Sequence, residues 1–113
     1  MLIKRSVFAL LLLASTSMMA SAQTASDDFK KMVNDHMAVF CPRISNLGDK
    51  AACELEHRLV VVKVTNAEAI AANADLYRQL GQHDKADATR ARMIAMLKEA
   101  GADLDRLKAT YRK

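Results

Sequence analysis

The stretch from Asp49 to Leu80, DKAACELEHRLVVVKVTNAEAIAANADLYRQL, decides how this chain folds. Within it Ala52, Leu55, Leu59, Val62, Asn66, Ala69, Asn73, Leu76 and Leu80 recur at spacings of three and four without a break. That alternation is the period of a helix offering one stripe to a neighbour, and it follows a heptad. One part pulls the other way: Leu59-Val60-Val61-Val62-Lys63-Val64-Thr65 is rich in β-branched residues, which favour strands. A strand needs a partner for its backbone N–H and C=O groups, and the chain has no second run of that kind. The stretch therefore reads as one helix over about 50–80, with Asp49 as its N-cap. The three valines then mark a part buried on more than one side.

Upstream, Phe29, Met32, Val33, Met37 and Phe40 repeat at helical spacing, which predicts a helix over about 26–40. Thr24 or Ser26 can cap it, and the early acids suit the helix dipole. Cys41-Pro42 ends it, because the residue before proline is pushed away from helical geometry. Asn46-Leu47-Gly48 reads as a turn. Downstream, Gly81 is a C-terminal stop and Asp84 a cap, with Asp87 in a capping-box position. Met93, Leu97, Ala100, Leu104, Leu107 and Tyr111 then form the stripe of a third helix over about 84–111, which Gly101 can kink. The expected fold class is all-α: a three-helix bundle whose last two helices form an antiparallel hairpin.

Around the hairpin turn, Ala74, Tyr77, Gly81, His83 and Ala86 resemble the inner part of a tetratricopeptide repeat. The resemblance covers residues 74–86 alone. Met93 stands where the next small residue of the pattern would fall, and no second repeat follows. It implies a helix–turn–helix packing solution and a protein-binding surface, but no solenoid, since one repeat cannot bury its own face.

The N-terminus has the features of an export signal. Lys4 and Arg5 precede an apolar stretch, Val7 to Ala14, and Ala20-Ser21-Ala22 fits the small-x-small cleavage pattern. Residues 1–22 are thus expected to be a cleaved signal peptide, leaving one helical domain over 23–113 in the periplasm or the medium. The apolar stretch is about half the ~20 residues a membrane-spanning helix needs, so no anchor is expected. The formal net charge of +4 (17 basic, 13 acidic) loses Lys4 and Arg5 on cleavage, and 15 minus 13 leaves +2. That balance gives nucleic-acid binding little support. A domain of this size buries roughly 60–65% of its unfolded surface, so it benefits from a staple or a partner.

The two cysteines, Cys41 and Cys53, flank the connection between the first two helices. In an oxidising compartment an even pair reads first as a disulfide. A second reading adds the histidines. His36, Cys41, Cys53 and His57 follow the order H-x4-C-x11-C-x3-H, and Cys53 and His57 lie one helical turn apart. Four such ligands suit zinc or copper, although the five-residue step from His36 to Cys41 fits a helical face poorly and a disulfide would remove both thiolates. Taken singly, His36 reads as a satisfied core or boundary histidine of the first stripe, and His57 and His83 as exposed. Met32, Met37, Met93 and Met96 fall at core spacing and read as packing.

Asn66 and Asn73 sit on the heptad stripe, where asparagine fixes register and partner number in coiled coils. If buried, they predict a homodimer along the second helix; otherwise the stripe drifts and both face water. No nucleophile elbow, phosphate loop or H-E-x-x-H motif occurs, and no enzyme is expected. Three functions stay open: a non-enzymatic module that binds an unidentified protein as an adaptor, chaperone-like factor or inhibitor; a metal-binding protein; or a self-assembling helical protein.

Overall fold

The computed structural model describes residues 25–112, all but a few of them helical and none in a strand. Three helices account for them: α1 over residues 25–40, α2 over Leu47–Gln79 and α3 over His83–Thr110. The expected signal peptide lies outside the described residues. No described helix is long and apolar enough to cross a membrane.

The chain enters α1 helical already at residue 25, and Ser26 does not cap it. The Ser26 hydroxyl instead donates to the carboxylate of Glu68 on α2. At its other end α1 tightens into a 3-10 turn, Cys41–Arg43, with Pro42 inside it and Ile44 extended. The N-cap of α2 is Asn46, not Asp49: its side chain accepts the Asp49 N–H at 3.0 Å. Leu47 and Gly48 thereby join the first turn instead of forming a loop, and Asp49 becomes the first-turn acid that suits the helix dipole. Across Leu59–Thr65 the helix is unbroken. Of its three valines, Val60 is buried, Val61 half-buried and Val62 exposed, so this part is covered on one side only.

Gly81 ends α2 in a Schellman arrangement. Its φ is +76°, the Gln82 N–H donates to the Tyr77 carbonyl at 2.9 Å, and the Gly81 N–H donates to Arg78 at 3.1 Å. Two residues later α3 begins with Gln82 as its N-cap and no side-chain cap, so Asp84 and Asp87 do not form a capping box. Asp87 instead lies 3.9 Å from Arg78 across the turn. Ala74 and Ala86 are buried beside it, small enough for α2 and α3 to approach closely. The third helix runs through Gly101 without a break.

Both α1 and α3 run antiparallel to α2. Lys30 reaches Glu68 at 2.8 Å and His36 reaches His57, while Lys63 of α2 bonds Glu99 and Asp103 of α3. The core at this end joins Val33 of α1, Val60 and Val64 of α2, and Ala100, Leu104 and Leu107 of α3, with Phe29, Val61 and Tyr111 packed around them. Burying a side chain of the Val or Leu kind stabilises by about 1.5–3 kcal/mol, so these few residues hold much of the bundle.

Candidate functional site

Two features stand out, and the first is a buried cluster at the α1–α2 corner. Cys41 and Cys53 form a disulfide, with Cα atoms 5.7 Å apart and both residues buried. The bridge fixes the face of α2 that meets α1. Counting from Cys53 at steps of four and three gives His57, Val60, Val64, Ala67, Ala71 and Ala74, and this is the side that meets α1 and α3. His57 is therefore fully buried, contrary to the exposed position expected for it.

Around His57 the contacts are polar. Its Nδ1 lies 2.7 Å from the Cys53 carbonyl oxygen, 3.7 Å from Cys41 Sγ and 3.8 Å from Cys53 Sγ. Its Nε2 lies 2.8 Å from His36 Nδ1, with the two rings stacked at 5.1 Å between centroids. Phe40 and Tyr111 pack on the outer faces of this ring pair, at 4.5 Å from His36 and 5.9 Å from His57. Partial burial, His57 and Lys108 together hold the His36 imidazole below its ordinary value, while the Tyr111 backbone pulls the other way. Burial and the neighbouring Glu56 push the Tyr111 hydroxyl up; it donates to Glu56 at 3.1 Å. No buried side-chain N or O atom among the described residues lacks a partner.

The four residues of the H-x4-C-x11-C-x3-H order thus come together, three of them around one point. The helical end at Phe40 lets Cys41 turn back towards Cys53, which answers the objection to the five-residue step. Ligand atoms of Cys41, Cys53 and His57 lie within 4.8 Å of one another, while His36 stands behind His57 and bonds its far nitrogen. As it stands the sulfurs are joined to each other. Only reduction would turn them into thiolate ligands.

The second feature is a cleft beside the first described residues of α1. With 33 and 28 residues, α2 and α3 outrun the 16 described residues of α1, which reach along α2 only to Glu68. A concavity of about 560 Å³ opens there, lined by Phe29, Ala67, Ala71, Met93, Ile94 and Leu97, with Glu68, Asp75 and Arg90 supplying charge. Met93 and Leu97, read as core from their spacing, line this cleft instead, because no described part of α1 covers them. Met32 is likewise half-exposed rather than packed.

Compared with protein-family models, with curated proteins and with solved structures, the chain finds no match in any of the three. The chemistry of both features therefore stands on their geometry. His83 lies exposed at the start of α3, far along the hairpin from the cluster. Asn66 and Asn73 are exposed on the side of α2 away from the core, and no described element covers them. The cleft had a signal in the sequence: the first expected helix, about 26–40, is roughly half as long as the two that follow.

Proposed function

We propose that this chain is a non-enzymatic exported module that holds an amphipathic helix of another protein in the cleft beside the first described residues of α1. The observation that carries this reading is the cleft itself. Ala67 and Ala71 of α2 and Met93, Ile94 and Leu97 of α3 line it, further along the same two helices that pack on α1 nearer the disulfide. A second helix laid end to end with α1 would meet the same two helices, with Ala67 and Ala71 leaving it room to approach. Asp75 and Arg90 at the edge offer one charge of each sign to its polar face. Export, to the periplasm or the medium, belongs to the same reading, supported by the N-terminal pattern and the buried disulfide.

A photo-crosslinking residue at Ala71, in cells that export the protein, tests it. The expected adduct maps to an apolar-faced helical segment of another protein and disappears in Ile94→Glu, whose helix content and disulfide stay unchanged. No adduct, or one that maps to the chain's own residues before Ala25, would overturn it.

The convergence of the four Cys and His side chains favours a second reading, a metal site formed when the bridge is reduced. A dithiol reductant would supply two electrons and two protons to the disulfide and leave as a disulfide itself. Cys41, Cys53 and His57 would then offer two sulfurs and Nδ1 to zinc or copper(I), once the His57 proton has moved from Nδ1 to Nε2, where it would donate to His36 Nδ1. The reduced protein should take up one zinc ion per chain by equilibrium dialysis and lose it in His57→Ala. Uptake no greater than that of the oxidised protein would exclude it.

A further inference from the structure

We infer that α2 pairs antiparallel with α2 of a second copy of this chain, along the heptad stripe that the single chain leaves in water. The stripe from Ala52 to Leu80 keeps its three–four alternation over all nine positions, and every one of them is exposed. Leu55, Leu59, Val62, Leu76 and Leu80 are each 50–63% exposed. Single exposed leucines need no explanation, but a regular row about 40 Å long with large apolar residues at both ends does.

The row is not the edge of the core. The buried face of α2 starts at Cys53 and keeps its own four–three alternation through Ala74. At about 100° per residue the two stripes lie roughly 150° apart around the helix. One side is filled by α1 and α3, and the other has the period of a helix that supercoils with a helical partner.

The order of residues along the stripe says which partner. Leucines stand at both ends, Leu55 and Leu59 at one and Leu76 and Leu80 at the other, with Val62, Asn66, Ala69 and Asn73 between them. The leucines at the two ends read the same in either direction, so a twofold contact pairs leucine with leucine at both ends. Antiparallel pairing sets Leu55 against Leu80 of the second copy and Leu59 against Leu76. Val62 then faces Asn73, and Asn66 faces Ala69, small enough to let the two Asn66 amides meet across the axis.

Charge favours the same direction. Parallel pairing would bring Arg58 beside Lys63 of the other copy, a like-charge contact at flanking heptad positions. Antiparallel pairing brings Arg58 to Gln79 and Glu56 to Tyr77. From Thr65 to Gln79 the flanking positions, Thr65, Ile70, Ala72, Tyr77 and Gln79, carry no charge at all. Lys63 is engaged by Glu99 and Asp103 of its own chain. The cleft lies mainly on the core side of α2, and Ala72 borders both surfaces.

Sedimentation equilibrium of the purified chain from low to high micromolar concentration reads the association directly. A dimer mass is expected, with Leu59→Glu and Leu76→Glu each giving monomers of unchanged helix content, because both side chains are exposed in the single chain. Asn66→Leu should tighten the dimer roughly tenfold, since the buried amides cost affinity while setting register. A monomer throughout, or a dimer indifferent to both glutamates, overturns the interface. The direction has its own readout, a spin label at Gln79→Cys. Antiparallel helices hold two such labels more than about 30 Å apart. A short distance between them overturns the antiparallel pairing.

Discussion

Nδ1 of His36 lies 2.8 Å from Nε2 of His57, and Nδ1 of His57 lies 2.7 Å from the carbonyl oxygen of Cys53. A carbonyl only accepts, so the contacts assign the His57 proton to Nδ1 and leave Nε2 with its lone pair. His36 then donates its own Nδ1–H to that lone pair. The chain of bonds is complete with both rings neutral. A further proton on His36 gains the Tyr111 backbone but meets partial burial, His57 and Lys108, and the opposing group wins.

The sign of the pH effect follows. The folded His36 holds its proton less tightly than the unfolded chain, whose imidazole titrates near 6.5. Protons therefore bind preferentially to the unfolded state once the pH falls to that value. The stability contributed by neutral His36 is complete above about pH 7 and is lost as the pH drops through 6.5 towards the lower folded value. Urea midpoints measured at pH 7.5, 6 and 5 should fall in that order, with a shallower fall in His36→Asn. An equal fall in that variant would remove His36 as the cause.

Reduction of the Cys41–Cys53 bridge should lower stability by about 3 kcal/mol, the amount expected for a closed loop of this length. The double variant Cys41→Ser with Cys53→Ser should match the reduced protein. Denaturant unfolding with and without a dithiol measures both. A midpoint that ignores reduction would mean that the α1–α2 corner is held by packing alone.

Gly81 and Gly101 should respond oppositely to alanine. At Gly81 the φ of +76° strains any side chain, and Gly81→Ala should cost about 1 kcal/mol. At Gly101 an added Cβ meets nothing within 4 Å inside a continuous helix, so Gly101→Ala should stabilise by about 0.5–1 kcal/mol. Thermal unfolding of the two variants side by side gives the test, and a loss at Gly101 would show that the helix needs freedom there.

Leu104→Ala removes a buried side chain from the join of all three helices and should cost about 2–4 kcal/mol. A chain kept monomeric by Leu76→Glu provides the contrast. In that background Leu55→Ala, on the outer stripe, should change stability by less than about 0.5 kcal/mol. Comparable losses at both positions would mean that the outer side of α2 packs against something within the same chain.

Much of the architecture was legible residue by residue. The repeat of Val33, Phe29 and their neighbours, the stop at Gly81 and the stripe ending in Leu104 and Leu107 each announce a helix through local spacing and backbone preference. The pairing of Cys41 with Cys53 needed only their number and their place on either side of a short connection. Caps were less legible: Asn46 and Asp49 can each accept an N–H two or three residues further on, and local sequence does not rank the two.

The amino-acid sequence by itself determined three helices, their order, a hairpin and a disulfide, since these depend on near neighbours along the chain. It did not determine which side of α2 is inside. Two stripes of equal regularity run along that helix, and periodicity cannot rank them. The tertiary structure decided: Cys53 must face Cys41, and that one bond turns His57, Val60 and Val64 inward. His57 thereby passes from a surface residue to the buried centre of a polar cluster, and the leucine stripe from Leu55 to Leu80 turns outward, because a helix can present only one of two opposite faces to the same neighbour.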